Sequence, residues 1–314
     1  MRSSLARLLV LSLLAPSCST GDVAVGTSAD VIADVLADGL SDTALPGTDA
    51  PATNDLPPKA DVGPGPAPKA NALRVSYISA DSYSGLGGAN GTVIAGFYDE
   101  VPSGLSTTSE QIGPCVVNIT TFGDGKFKLE KHRVGTITLS GGLEPVTMKP
   151  GPGGDYPAFQ GKAALWLGGE PLVFDATGGD IPGFSATVAA PSHVRITAPV
   201  LPIGKALPLP RSSDLALAWT GDSAGQVIYR ISGPQKLPAP QTTLTCAFTP
   251  SDGKGTVPKA ALGKIALTGT GTISATSLSA AEPKAGLWDA VSIQAEARAL
   301  RPSDTPWLGT VEIQ

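Results

Sequence analysis

The chain has 314 residues and a formal charge of −5, and its 38 Gly and 29 Pro are too many for a coiled coil or long-helix protein. Three Cys exclude a cysteine-rich scaffold, and the acidic balance, with only 16% charged residues, offers no basic footprint for nucleic acid. The charge is also uneven: Arg2 and Arg7 make the start basic, eight Asp against Lys59 and Lys69 make 19–71 acidic, and the remainder is nearly balanced.

Arg2 and Arg7 precede an apolar run from Leu8 to Ala15, followed by small residues. A short basic region, an apolar stretch of this length and small residues form the layout of a secretory signal, so 1–17 is read as a signal peptide. The run is too short to span a membrane, which takes about 20 apolar residues. Leu14-Ala15-Pro16-Ser17-Cys18 resembles a bacterial lipobox, in which the cysteine is acylated and becomes the mature N-terminus. Ala15 stands where Leu is usual, and Pro16 is atypical. Ordinary cleavage remains the alternative, because Ala15 and Ser17 also satisfy the small-x-small rule.

Residues 18–71 read as a disordered tether. Asp30, Asp34, Asp38 and Asp42 recur every four residues among Val31, Ile32, Val35, Leu36 and Leu40. That spacing would place acids and aliphatics on opposite faces of a helix. Asp is a weak helix former, however, and so short a helix is marginal in water. Prolines 46, 51, 57, 58, 64, 66 and 68 stiffen the second part toward an extended spacer. Signal, early cysteine and Asp/Pro/Ala/Gly tether together resemble the uncharacterised surface lipoproteins of myxobacteria and their relatives. The resemblance implies an outer-membrane or cell-surface location, with Ser19 after Cys18 in keeping with outer-membrane sorting. A periplasmic or secreted soluble protein is the alternative.

From residue 72 onward, short apolar runs alternate with turn signals such as Asn90-Gly91, Gly141-Gly142 and Asp252-Gly253, the pattern of an all-β body. Strands are predicted over 73–79, 92–98, 115–122, 135–140, 163–167, 172–176 and 185–189. A second set covers 193–198, 214–220, 226–231, 242–248, 265–270, 272–276, 290–297 and 308–313. Helical turns are predicted only at 258–262 and near 279–284. The Pro-rich stretch 182–210 suggests a boundary at 191, giving two closely packed antiparallel β-sandwich (Ig-like) units over 72–190 and 191–314. Strand parity turns Trp219, Trp307, Val311 and Ile313 inward and leaves Trp288 partly exposed. Tyr77, Tyr83, Tyr98, Tyr156 and Trp288 are candidates for a surface patch.

Cys115 shares a face with Val117 and Ile119, and Cys246 with Leu244 and Phe248, so both point toward a core. In an oxidising compartment they are expected to form a disulfide. Gly221-Asp222-Ser223-Ala224-Gly225 satisfies G-x-S-x-G, but the hydrolase elbow needs a strand leading into a helix. Here the string reads as a hairpin loop between two strands, and neither His132 nor His193 lies in a recognisable catalytic setting. No zinc spacing occurs, and Asp124, Asp155, Asp180 and Asp252 read as turn formers rather than calcium ligands. The glycines from Gly85 to Gly91 lack the helix and Lys-Ser/Thr of a phosphate loop. A carboxylate pair for hydrolysis is a matter of three-dimensional separation and stays open. The expectation is a non-enzymatic, lipid-anchored surface module without cofactor or metal. It would bind an envelope polysaccharide or surface protein or serve a structural role, with a hydrolase using Ser223 or a carboxylate pair as the alternative.

Overall fold

The computed structural model describes residues 73–314 apart from 86–87, 102–105, 122–127, 235–238, 267, 287 and 289. The expected signal peptide at 1–17, Cys18, the expected tether at 18–71 and Asp124 lie outside the described residues. The first strands are β1 (Leu73–Gly85), β2 (Gly88–Val101), β3 (Ser106–Ile112), β4 (Cys115–Thr121), β5 (Lys128–Lys131), β6 (Ile137–Ser140) and β7 (Val146–Met148). Next come β8 (Phe159–Gly161), β9 (Pro171–Ala176), β10 (Phe184–Ala189), β11 (Arg195–Ala198), β12 (Leu207–Leu209) and β13 (Leu215–Thr220). The last are β14 (Gln226–Ser232), β15 (Gln241–Phe248), β16 (Lys254–Val257), β17 (Gly269–Ala281), β18 (Ser292–Arg298) and β19 (Leu308–Ile313). A four-residue helix, α1 (Lys259–Leu262), falls within the predicted helical turn at 258–262.

The chain is all-β, as its alternation and turn chemistry predict. The main sheet follows the order β3-β4-β15-β14-β17-β18-β1-β2-β5, with β8, β12 and β19 attached at its margins. Pairing is mostly antiparallel, but β1 with β18 and β12 with β19 run parallel. Smaller sheets, β10-β9-β6-β7 and β11-β13-β16, pack on the apolar face of the main sheet. The first encloses a core with Ile78, Phe97, Leu172, Phe174 and Ile293. The second encloses Leu217, Trp219, Tyr229, Leu244 and Val311. Strands from either side of residue 191 interleave in the main sheet, since β3 and β4 reach it beside β15 and β1 lies beside β18.

A long β-ribbon shapes this sheet. Tyr98 faces Lys131 where β2 pairs with β5, and continuing that register would set Gly123 opposite Ser106. Thr121 stands there instead, so β3 pairs with β4 in a register two residues removed from that of β2 with β5. In a flat sheet β2 and β3 would lie seven strand spacings apart, about 34 Å. The five peptide units from Val101 to Ser106 span at most about 18 Å. The sheet is therefore strongly rolled, though not a closed barrel.

Several predicted elements shift. The segment 163–167 is not a strand; Leu165 and Trp166 are instead buried in the first core from a loop. The two strands predicted over 265–276 are one, β17, which also occupies part of the predicted turn near 279–284. Gly271 does not break it, because a Cβ there would meet the Ser232 carbonyl oxygen at 2.3 Å and its absence permits close pairing with β14. Trp288 is 7% exposed, not a surface residue. It lies in a tight turn, with Ala285 and Trp288 exchanging two backbone hydrogen bonds, so strand parity does not govern it. Its ring meets Phe97 and His132 edge-on.

Candidate functional site

Parity in the rolled sheet divides two chemistries. On β14, Val227, Tyr229 and Ile231 enter the second core, while Ile228 and Arg230 point to the opposite face. The same alternation sends Gln294, Glu296 and Arg298 of β18 and Tyr77, Ser79, Asp81 and Tyr83 of β1 to that face. No described strand or helix packs on it, yet its centre is buried, which the roll accounts for. Asn118, Thr120, Thr245 and Thr276 continue its polar lining.

Two ion pairs occupy this inner face. Asp81 and Glu296 are register partners across the parallel β1–β18 ladder. Arg298 donates to Asp81 Oδ2 from Nε at 2.8 Å and Nη2 at 2.6 Å. Arg230 reaches over β17 and donates to both oxygens of Glu296 at 3.2 Å. Burial pushes the Asp81 carboxyl above its ordinary value; Arg298 opposes that shift, and the nearby Glu296 charge adds to it. Sequence reasoning left a carboxylate pair open without naming residues, and Asp81 and Glu296 are one pair that the fold brings together. Each member is engaged by its own arginine, an arrangement that neutralises charge rather than placing one acid and one base around a reacting bond.

Beside this face, at the end of β1, lies a cleft of about 470 Å³ lined by Ser84, Gly85, Trp166, Leu167, His193, Arg195, Leu300 and Asp304. His193 connects the two regions. Its Nδ1 donates to the Arg298 carbonyl at 2.7 Å, and its ring meets Tyr83 edge-on. Arg298 in turn stacks over Tyr83 at 5.9 Å. Trp166 is fixed by donation from Nε1 to the Pro191 carbonyl at 2.9 Å. Arg195 pairs with Asp304 at the rim. Leu167 is 73% exposed, yet its backbone is held: Glu170 accepts from the Leu167 N–H at 2.8 Å and the Gly168 N–H at 2.6 Å. Partial burial raises the Glu170 pKa, but the backbone N–H donors outweigh it and set the carboxyl below its ordinary value.

Ser223 does not sit on a hydrolase elbow, nor in a hairpin. Its loop links β13 of a small sheet to β14 of the main sheet. Ser223 Oγ accepts from the Ser192 N–H at 2.9 Å and donates to the Ala224 carbonyl at 3.1 Å, which pins the crossing. Gly225 has a φ of +80°, and a Cβ there would meet the Leu278 carbonyl oxygen at 2.0 Å. His132 lies elsewhere, 3.2 Å from Asp99 and edge-on to Trp288. Cys115 and Cys246 form a disulfide across β4 and β15.

Of the candidate surface aromatics, Tyr77, Tyr83, Tyr156 and Trp288 are buried, and Tyr98 is half-buried. Tyr156 is held by donation to the Gly135 carbonyl and acceptance from the Val134 N–H, both at 2.9 Å. Asp180 accepts from the Arg133 N–H at 3.0 Å, and Asp155 lies 3.7 Å from Lys131. Among the described residues, no three His, Cys, Asp or Glu side chains gather as a metal site. Gly85 pairs with Gly88 at the end of the β1–β2 ladder and Gly91 pairs with Ser82 within it, so these glycines belong to a hairpin. No protein-family model and no curated protein matches this chain.

Proposed function

We propose that the protein is an exported, lipid-anchored surface module that binds an envelope component, polysaccharide or surface protein, without catalysing a reaction on it. The basic and apolar leader, Cys18 and the acidic, Pro-rich tether support the location. The observation carrying the binding role is the cleft. Its exposed Leu167 side chain offers apolar surface over a floor set by the buried Trp166 and Leu300, beside the hydrogen-bonding groups of Ser84, His193, Arg195 and Asp304. A concave site of this mixed character suits recognition.

Titration of the chain with purified envelope polysaccharides and surface proteins tests this reading. Saturable binding that is weakened by Leu167→Asp, in a variant with an unchanged circular dichroism spectrum, is the expected result. Absence of saturable binding to any of them rejects it. An esterase or peptidase activity lost in Ser223→Ala would favour the hydrolase instead.

A further inference from the structure

The segment joining β11 to β12 runs Pro199-Val200-Leu201-Pro202-Ile203-Gly204-Lys205-Ala206. Its middle is anchored. Leu201 is buried in the second core, the Pro199 carbonyl accepts from Trp307 Nε1 at 3.3 Å, and the Leu201 carbonyl accepts from Arg301 Nη1 at 3.1 Å. Val200 and Ile203 nevertheless project outward, 77% and 92% exposed. Leu308, 59% exposed, is tied to the same segment through Arg301, which also donates to the Leu308 carbonyl at 2.9 Å. Three of the five large exposed apolar side chains among the described residues thus share one anchored edge.

The charge around this edge is predominantly positive, with Glu312, on the same face of β19 as Leu308, the acid that stands against it. From Ile181 to Ser213 the chain carries Arg195, Lys205 and Arg211 and no Asp or Glu, although the whole protein is acidic. Arg301 donates to the carbonyls of Pro306, Leu201 and Leu308, which leave its charge unneutralised, and Asp304 is engaged by Arg195. Aliphatic prongs beside an excess of cations, Lys205, Arg211 and Arg301 against Glu312, match an apolar interior bounded by anionic headgroups. We propose that the Val200–Ile203–Leu308 edge docks on an anionic lipid surface. This deepens the surface-module reading: a tethered domain works at high effective concentration over its membrane, where a weak, reversible contact is enough to orient it.

The test uses a soluble form beginning at Ser19, which keeps residues 19–71 and every described strand but lacks the leader and the acylation site at Cys18. It is sedimented with vesicles of phosphatidylcholine alone and of equal parts phosphatidylcholine and phosphatidylglycerol. Binding to the anionic vesicles is expected, lowered about tenfold or more by paired Val200→Asp and Ile203→Asp and weakened by Lys205→Glu. Leu143→Asp, an exposed apolar site at 50%, should leave it unchanged. Failure of the unmodified chain to bind, or equal loss in Leu143→Asp, overturns the proposal. So does a dimer in sedimentation velocity that the paired variant dissolves, since the edge would then be a subunit contact. Polysaccharide and protein binding measured on the same variants separates failure here from failure at the cleft.

Discussion

Cys115 and Cys246 stand opposite each other in the β4–β15 ladder, their Cα atoms 4.0 Å apart and their sulfurs bonded. The bond joins positions 131 residues apart and fixes the far half of the β-ribbon to the strand it must meet for the sheet to roll. Both side chains are fully buried in the second core with Val117, Tyr229 and Leu244.

Removing it with Cys115→Ala and Cys246→Ala together should lower the unfolding free energy by about 4–5 kcal/mol, the loop-closure value for so long a loop. Urea unfolding with and without reductant measures this. The double variant should match the reduced native chain rather than the oxidised one.

The Arg230–Glu296 pair lies almost wholly out of water. Arg230→Met alone strands a buried carboxylate and should destabilise by about 3–5 kcal/mol. Arg230→Met with Glu296→Leu should recover most of that loss, because a desolvated pair and an apolar replacement are close in free energy. A double-mutant cycle in chemical denaturation checks the sign of the coupling.

Asp81 carries a pH signature. With its carboxyl raised by burial against the pull of Arg298, the folded protein keeps this proton to higher pH than the unfolded chain does. Stability from this group is therefore complete below the ordinary carboxylate pKa of 3.8 and declines as pH rises toward the raised value. The difference in stability between the parent and Asp81→Asn should fall across that window. Denaturation midpoints taken at a series of pH values would show it.

Glu170 has the opposite sign. The Leu167 and Gly168 N–H groups favour its ionised form, so its contribution is present above the ordinary value of 4.5 and disappears as pH falls through the depressed folded value. Glu170→Gln should free the Leu167 loop at neutral pH, seen as faster amide exchange at residues 167–169. Because the carboxylate is solvated, the global stability loss should stay below about 1 kcal/mol.

Much of the fold is written in local alternation. Val227, Tyr229 and Ile231 alternate with polar or non-core positions, and Trp219, Trp307, Cys115 and Cys246 all fall on the apolar side, as their neighbours predict. The strand β3 escapes notice because Ser106–Ile112 has an exposed, mainly polar sequence with no core face to generate a period. The Ser223 loop reads as a hairpin because consecutive strands usually pair, whereas β13 and β14 enter different sheets. The site is the least legible part. Arg195 and Asp304 are 109 residues apart, and Asp81 and Arg298 are 217 apart. Only the parallel placement of β1 beside β18 brings the second pair together.

That parallel ladder also dictates when folding can finish. β1 opens the described chain, but its partner β18 lies more than two hundred residues later, and the first core needs Trp288, Val291 and Ile293 from that late segment. A chain delivered from its N-terminus cannot complete even its first core until nearly the whole sequence has arrived. Such non-local pairing makes assembly slow.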